Sequence, residues 1–204
     1  MLNWTLIEYS YFICLFEIVS RFAFRILKPL HRYLLDGRFN KYLVRPVNVF
    51  IQHNFEEIYF YELIDIILNL ILLGILLFID NNLNFLNFYF ILFLFLTMLG
   101  QFLFWILFES ISFIAIGIKN AIDIQLFEIN GILKTFPTQF FLNSNLKFLL
   151  IFPNAFVSLT LVEILKGSLV KSIYLVYLLI IIFVLILLIY INWKIGLKKY
   201  EAFG

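Results

Sequence analysis

The chain has 204 residues, of which 64% are apolar and only 14% charged, and its mean hydropathy is +1.02. A soluble domain carries about 25% charged residues, so this composition excludes a water-soluble globule and places the chain in a membrane. The 27 Phe and 11 Tyr exclude disordered and collagen-like chains, and the single Cys14 excludes an intrachain disulfide. A net charge of +2 without a polybasic tail gives no reason to expect nucleic acid as a partner.

A helix that crosses a bilayer needs roughly 20 mainly apolar residues. The first candidate, 4–24, carries Glu8, Glu17 and Arg21. No basic residue precedes it and no small-residue cleavage site follows, so it is expected to be retained rather than removed as a signal peptide. Glu17 stands four residues before Arg21, the favourable order for an intrahelical pair that neutralises both charges.

A basic connection follows, with Arg25, Lys28, Arg32, Arg38, Lys41 and Arg45. Within it Leu35, Phe39 and Tyr42 share one helical face, and Pro46 stops the pattern. This predicts a short interfacial helix whose cations suit either anionic lipid or a cytoplasmic partner.

The second span is expected over 58–79, with Glu62 and Asp65 three residues apart near its entry. The third lies within 81–108, a run of 28 residues without charge. Over 119–136 the residues Ile122, Leu126, Ile129, Leu133 and Phe136 form one helical stripe, which predicts an amphipathic helix lying on the membrane and closed by Pro137. A separate span over 104–118 is the alternative. The fourth span is expected at about 146–165, with Glu163 near its end, and the fifth covers the 22 uncharged residues 172–193.

A charge at mid-span costs about 2.5–3.5 kcal/mol by insertion scales and therefore seeks a partner or water. For Glu62, Asp65 and Glu163 interfacial solvation is the simpler expectation, and a substrate or proton path is the alternative. The expected architecture is all-α: a polytopic integral membrane helical bundle of about five transmembrane helices and two interfacial amphipathic helices, forming one domain over 1–204. Thirteen of the fifteen Lys and Arg fall on one side of these spans. The excess of cations on cytoplasmic loops then puts the N-terminus outside and the C-terminus inside.

Motifs for catalysis, metal or cofactors do not emerge. His31 and His53 lack the spacing of a metal pair, and Glu56 and Glu57 are followed by Ile58, Tyr59 and Phe60 rather than by the arginine of an intramembrane glutamate protease. Residues 167–172 (GSLVKS) end like a phosphate loop but lack its glycines, so ATP binding by this chain is not expected.

Several segments keep a recognisable order. Asn3, Trp4, Thr5, Leu6 and Glu8 open the first span; Gly37, Arg38, Phe39, Asn40, Lys41, Tyr42, Leu43, Val44, Arg45 and Pro46 follow it. Then come Phe104 with Trp105, Phe136 with Pro137, and Pro153 with Ala155, Phe156 and Val157, before Gly196, Leu197, Lys198, Lys199, Tyr200 and Glu201 close the series. This ordered set resembles permease subunits of the type 2 ATP-binding-cassette (ABC) exporters, in the bacterial branch with paired permeases and one ATPase. Asn40 stands where those permeases carry an acid, and Leu161 where they carry a proline. They usually have six spans with both ends cytoplasmic, so this chain is expected to start after the first.

The resemblance implies partners: a cytoplasmic ABC ATPase, and a second permease subunit or a second copy of this chain, in contact with membrane lipids of a bacterial plasma membrane. It also implies that Gly37, Arg38, Asn40, Lys41, Leu43, Arg45 and Pro46 form the segment that couples to the ATPase. Glu17, Arg21, Glu62 and Asp65 remain as intramembrane polar residues. A membrane scaffold or assembly factor without an ATPase is the competing expectation, and co-purification with an ATPase separates the two.

Overall fold

The computed structural model of the chain describes residues 4–24, 30–55, 60–113, 119–142, 145–168, 170 and 172–203; Asn3, Arg25, Lys28, Glu56, Glu57, Ile58 and Lys171 lie outside them. Among the described residues all regular structure is helical.

Helix α1 (Leu6–Phe24) opens with a capping box: Thr5 Oγ1 accepts the Glu8 N–H at 3.3 Å while Glu8 Oε2 accepts the Thr5 N–H at 2.8 Å. Three short helices follow, α2 (Leu30–Leu35), α3 (Asn40–Leu43) and α4 (Val49–Phe55). The single interfacial helix expected up to Pro46 is thus two short helices, α2 and α3, separated by a turn, and α4 follows the proline. Gly37 adopts φ +68°, a left-handed geometry that glycine takes without strain. Phe39 and Tyr42 turn inward with no exposure, whereas Leu35 is 66% exposed and leaves the face that spacing assigned to it.

Helix α5 (Phe60–Ile79) runs back antiparallel to α1, with Tyr11 bonded to Asp80 at one end of the pair and Arg21 to Asp65 at the other. It ends at Asn81, whose φ of 47° lets the Asn82 N–H reach the Leu77 carbonyl at 3.0 Å. Asn87 then caps α6 (Phe88–Ser110), its side chain accepting the Tyr89 N–H. Because α6 runs unbroken through Phe104, no separate span begins there.

Helix α7 (Lys119–Thr135) forms where the stripe predicts it, and Leu126 and Leu133 are buried, but Phe136 is 50% exposed. Its last turn meets α1, with the Tyr9 hydroxyl donating to the Thr135 carbonyl at 3.0 Å. At least this end lies against the bundle rather than flat beside it.

The expected span at 146–165 is broken. A 3₁₀ stretch, Asn145–Ile151, gives way at Pro153, and the chain resumes through a π-helical stretch, Val157–Val162, into α8 (Glu163–Leu165). Proline lacks the N–H that a continuous helix requires. Every residue of 153–162 is buried. The Thr138 N–H donates to Ser158 Oγ at 2.9 Å, and Thr160 Oγ1 donates to the Phe156 carbonyl at 2.6 Å, so both hydroxyls find partners within the protein, whereas Asn154 donates to Asn130 and leaves its own Oδ1 without a partner among the described residues. Gly167 at φ +76° closes α8, with the Gly167 and Ser168 N–H groups reaching the carbonyls of Ile164 and Glu163. The glycine of the phosphate-loop-like sequence is a helix stop.

Helix α9 (Ser172–Phe203) lies beside α6 and runs in the same direction. Ser110 meets Asn192 at 3.2 Å, and Phe113 packs on Trp193. Since α6 and α9 are parallel, the chain between them must return to the end where α6 began. Lys166 lies at that end, against Glu8 and the Trp4 ring.

Two helical segments, Phe88–Phe113 and Ser172–Tyr200, are long and apolar enough to cross a membrane, and Leu63–Ile79 is apolar but shorter. Helices in lipid gain little from expelling water between them, so close packing decides their association. At Gly196 an added Cβ would lie 2.5 Å from Phe113 Cβ. Gly196→Ala is therefore expected to lower stability by about 1–3 kcal/mol through overpacking, read as a fall in the melting temperature of the detergent-solubilised protein. Gly131→Ala, in open space on α7, should instead be neutral or stabilising by up to about 1 kcal/mol.

Candidate functional site

Two constellations join elements that are distant in sequence. The first is the charged cluster on α1. Arg21 Nε donates to Glu17 Oε2 at 2.8 Å, as the i,i+4 spacing predicts. The same guanidinium reaches Asp65 of α5, and Glu17 also pairs with Lys134 of α7. Among the described residues two carboxylates and two cations thus tie three helices together. Glu17 is the most enclosed, whereas the side chains of Arg21 and Asp65 are 34% and 41% exposed. Asp65 is therefore paired rather than merely solvated, and Lys134 is a member that sequence spacing missed. Its signal was a lone cation in the last turn of an amphipathic helix. Glu62 lies on α5, but its side chain is outside those described.

At the opposite end of α1 the Tyr11 hydroxyl donates to Asp80 Oδ2 at 2.9 Å, and Lys166 stands 3.6 Å from Glu8 and 3.5 Å from Glu163. Asn82 and Asn84 both donate to the Leu165 carbonyl, at 2.6 and 3.1 Å. These groups border a polar cavity of about 640 Å³ and fasten the α5–α6 turn to α8. Among the described residues no three His, Cys, Asp or Glu side chains come together as metal ligands would.

The second constellation is built on the 37–46 segment. Phe39 is wholly buried, with its ring 5.4 Å from Phe113, 5.2 Å from Tyr200 and 6.5 Å from Trp193. Tyr42 is equally buried, 5.6 Å from the His53 ring, which also faces Tyr33, Phe39 and Trp193. His53 thus takes part in an aromatic cluster. The Tyr200 hydroxyl donates to Asn40 Oδ1 at 2.8 Å, and the Leu30 N–H donates to Glu109 Oε2 at 2.9 Å. The first bond ties α3 to α9, and the second ties α2 to α6.

Arg38 and Arg45 are exposed, whereas Lys41 is half-buried. Arg38 bonds Asp36 at 2.5 Å, both exposed, and Lys41 sits 4.7 Å from the Tyr42 ring centre. Gly37, Arg45 and Pro46 are exposed, while Leu43 is half-buried. The seven predicted coupling residues run through the turn at Gly37, α3 and the bend at Pro46, and through Phe39 and Asn40 this stretch meets Trp193 and Tyr200 at the far end of the chain.

The profile of the ABC-2 family transporter proteins matches residues 1–204, the whole chain. The chain belongs to the ABC-2 family. It is accordingly a membrane component of an ABC transporter, distinct from the ATPase that such a transporter also requires. No curated protein and no solved structure matches it.

The charged cluster of this ABC-2 chain is testable by itself. Arg21→Gln leaves Glu17 and Asp65 without their shared cation, and Asp65→Asn removes one of the carboxylates that pair with it. Combining them in a double-mutant cycle is expected to give a coupling free energy of about 0.5–3 kcal/mol in unfolding measurements. Strict additivity of the two changes would mean that the α1–α5 pair contributes nothing.

Proposed function

We propose that this ABC-2 chain is the membrane-spanning subunit of an ATP-driven export complex and that its 37–46 segment receives the motion of a cytoplasmic ATPase. The N-terminus lies outside and the C-terminus inside, in a bacterial plasma membrane. Five crossings follow from this orientation: α1, α5, α6, a composite crossing made by α7 with 155–165, and α9. The excess of Lys and Arg at the end that holds α2, α3 and α4 supports that assignment.

The observation that carries this reading is the seating of Phe39 and Tyr42. An element with an exposed cationic face and a wholly buried aromatic face transmits a push rather than absorbing it, because a close-packed core yields little. A force on Arg38, Lys41 or Arg45 reaches, through Phe39, Phe113 in the 3₁₀ turn that follows α6 and Trp193 and Tyr200 on α9. Tilting α6 and α9 together against the α1–α5 pair would open a path between the two pairs toward the outside. A second permease, or a second copy, completes the path and covers the half-exposed Arg21 and Asp65.

The exposed cations suit acidic or carbonyl groups on a docked ATPase. The double change Arg45→Glu with Pro46→Gly is expected to leave insertion at normal levels while abolishing transport-coupled ATP hydrolysis in the reconstituted complex. Arg32→Gln, which neutralises an exposed cation outside the segment, should retain coupling. Equal loss from both changes, or loss from neither, would contradict the coupling role of 37–46.

A further inference from the structure

A groove of about 840 Å³ opens between α4, α6 and α9. Val47, Phe50 and Ile51 form one wall, Leu103 contributes from α6, and Ile186 and Ile189 line α9. Phe50 stands edge-on to Trp193 at 5.1 Å and closes the floor. The lining carries one charge, Lys194.

The position of that charge gives the groove a direction. Lys194 is the first ionised residue after the 22 uncharged residues 172–193, so it marks the depth at which α9 leaves the hydrocarbon. From there the apolar lining reaches back to Ile186, about 12 Å along a helix that rises 1.5 Å per residue. Lys194 is exposed, its Nζ 5.7 Å from the Tyr190 ring centre, and among the described residues no carboxylate lies within ion-pair distance. Lys198, one turn further on, is exposed as well.

We propose that this groove binds one anionic phospholipid, with an acyl chain along Leu103, Ile186 and Ile189 and the headgroup phosphate at Lys194. A phospholipid joins an anion to a hydrocarbon chain in the order in which the groove presents a cation and an apolar trough. A second membrane helix seated in the same place would have to bury Lys194, and burying a charge is costly unless the helix carries its own carboxylate at that height. The wall formed by Val47, Phe50 and Ile51 begins directly after Arg45 and Pro46, so the groove adjoins the basic stretch between the first two spans, while the one charge in its lining, Lys194, comes from α9. An anchored lipid would wedge α4 against α9, beside the aromatic cluster.

The test is quenching of tryptophan fluorescence in nanodiscs of phosphatidylcholine that contain increasing fractions of phosphatidylglycerol with brominated acyl chains. Trp193 lines the groove and should be quenched at low mole fractions of the brominated phosphatidylglycerol, but not by brominated phosphatidylcholine at equal fractions. One Lys near a membrane surface contributes about 1 kcal/mol toward an anionic lipid. Lys194→Gln should therefore raise the half-quenching fraction about fivefold, while Lys199→Gln, outside the groove, leaves it unchanged. Ile186→Phe, which narrows the trough without altering charge, should reduce quenching, and native mass spectrometry should show one phosphatidylglycerol retained by the unaltered chain and lost from the Lys194 variant. Equal quenching by the two brominated lipids, or equal behaviour of the Lys194 and Lys199 variants, would overturn the proposal. So would a groove shielded from both lipids with a second protein chain retained, which would assign it to a protein partner.

Discussion

Phe39 has no exposed surface, and the rings around it come from α3 (Tyr42), α4 (His53), the 3₁₀ turn that follows α6 (Phe113) and two turns of α9 (Trp193 and Tyr200). A Phe in that position forces a choice on its neighbours. Gly37 must bend the chain so that Phe39 enters the cluster, which its φ of +68° achieves, and the charged residues on either side must then face outward. Deleting a buried Phe side chain costs about 3–5 kcal/mol. The segment is thus held by its own hydrophobic anchor and not by the surface pair of Arg38 and Asp36, since exposed ion pairs contribute little.

The remainder of the bundle falls into two parts around that anchor. One core joins α1, α5, the start of α6 and the buried 155–165 stretch, while a second joins α2, α3, the end of α6 and the end of α9. Leu103, Phe152 and Ile181 pack against both. The charged cluster of Glu17, Arg21, Asp65 and Lys134 fastens the first core, and hydrogen bonds from Leu30 and Tyr200 fasten the second. Three hydroxyls inside the apolar interior are tied locally as well: Ser20, Thr97 and Ser110 return their hydroxyl hydrogens to carbonyls three or four residues back in their own helices.

Sequence alone revealed what depends on local pattern. Long uncharged runs located α6 and α9, the i,i+4 spacing paired Glu17 with Arg21, and the stripe from Leu126 to Leu133 located α7. It failed where the deciding partner is remote or where a run of apolar residues conceals a break. An apolar segment containing Pro153 satisfies a length criterion as well as an unbroken helix does, but only tertiary contacts make 3₁₀ and π turns tolerable there. Lys134 and Asp65 acquire their roles from Glu17 and Arg21, and no spacing rule links residues that far apart. The ordered motifs at 37–46 and 196–201 were legible as a resemblance. Their contact through Asn40 and Tyr200, separated by 160 positions, was not.

The central claim is that the 37–46 segment and the end of α9 move as one body. Pulsed electron-spin distance measurement between labels at Arg38 and Lys199, with Cys14 replaced, tests it in the complex assembled with its ATPase. One narrow distance distribution, unchanged between nucleotide-free and ATP-trapped states while a label pair joining α5 to α9 shifts, is the expected result. A distribution that broadens or shifts with ATP at the Arg38–Lys199 pair would show that the segment slides over α9, and it would contradict rigid transmission through Phe39.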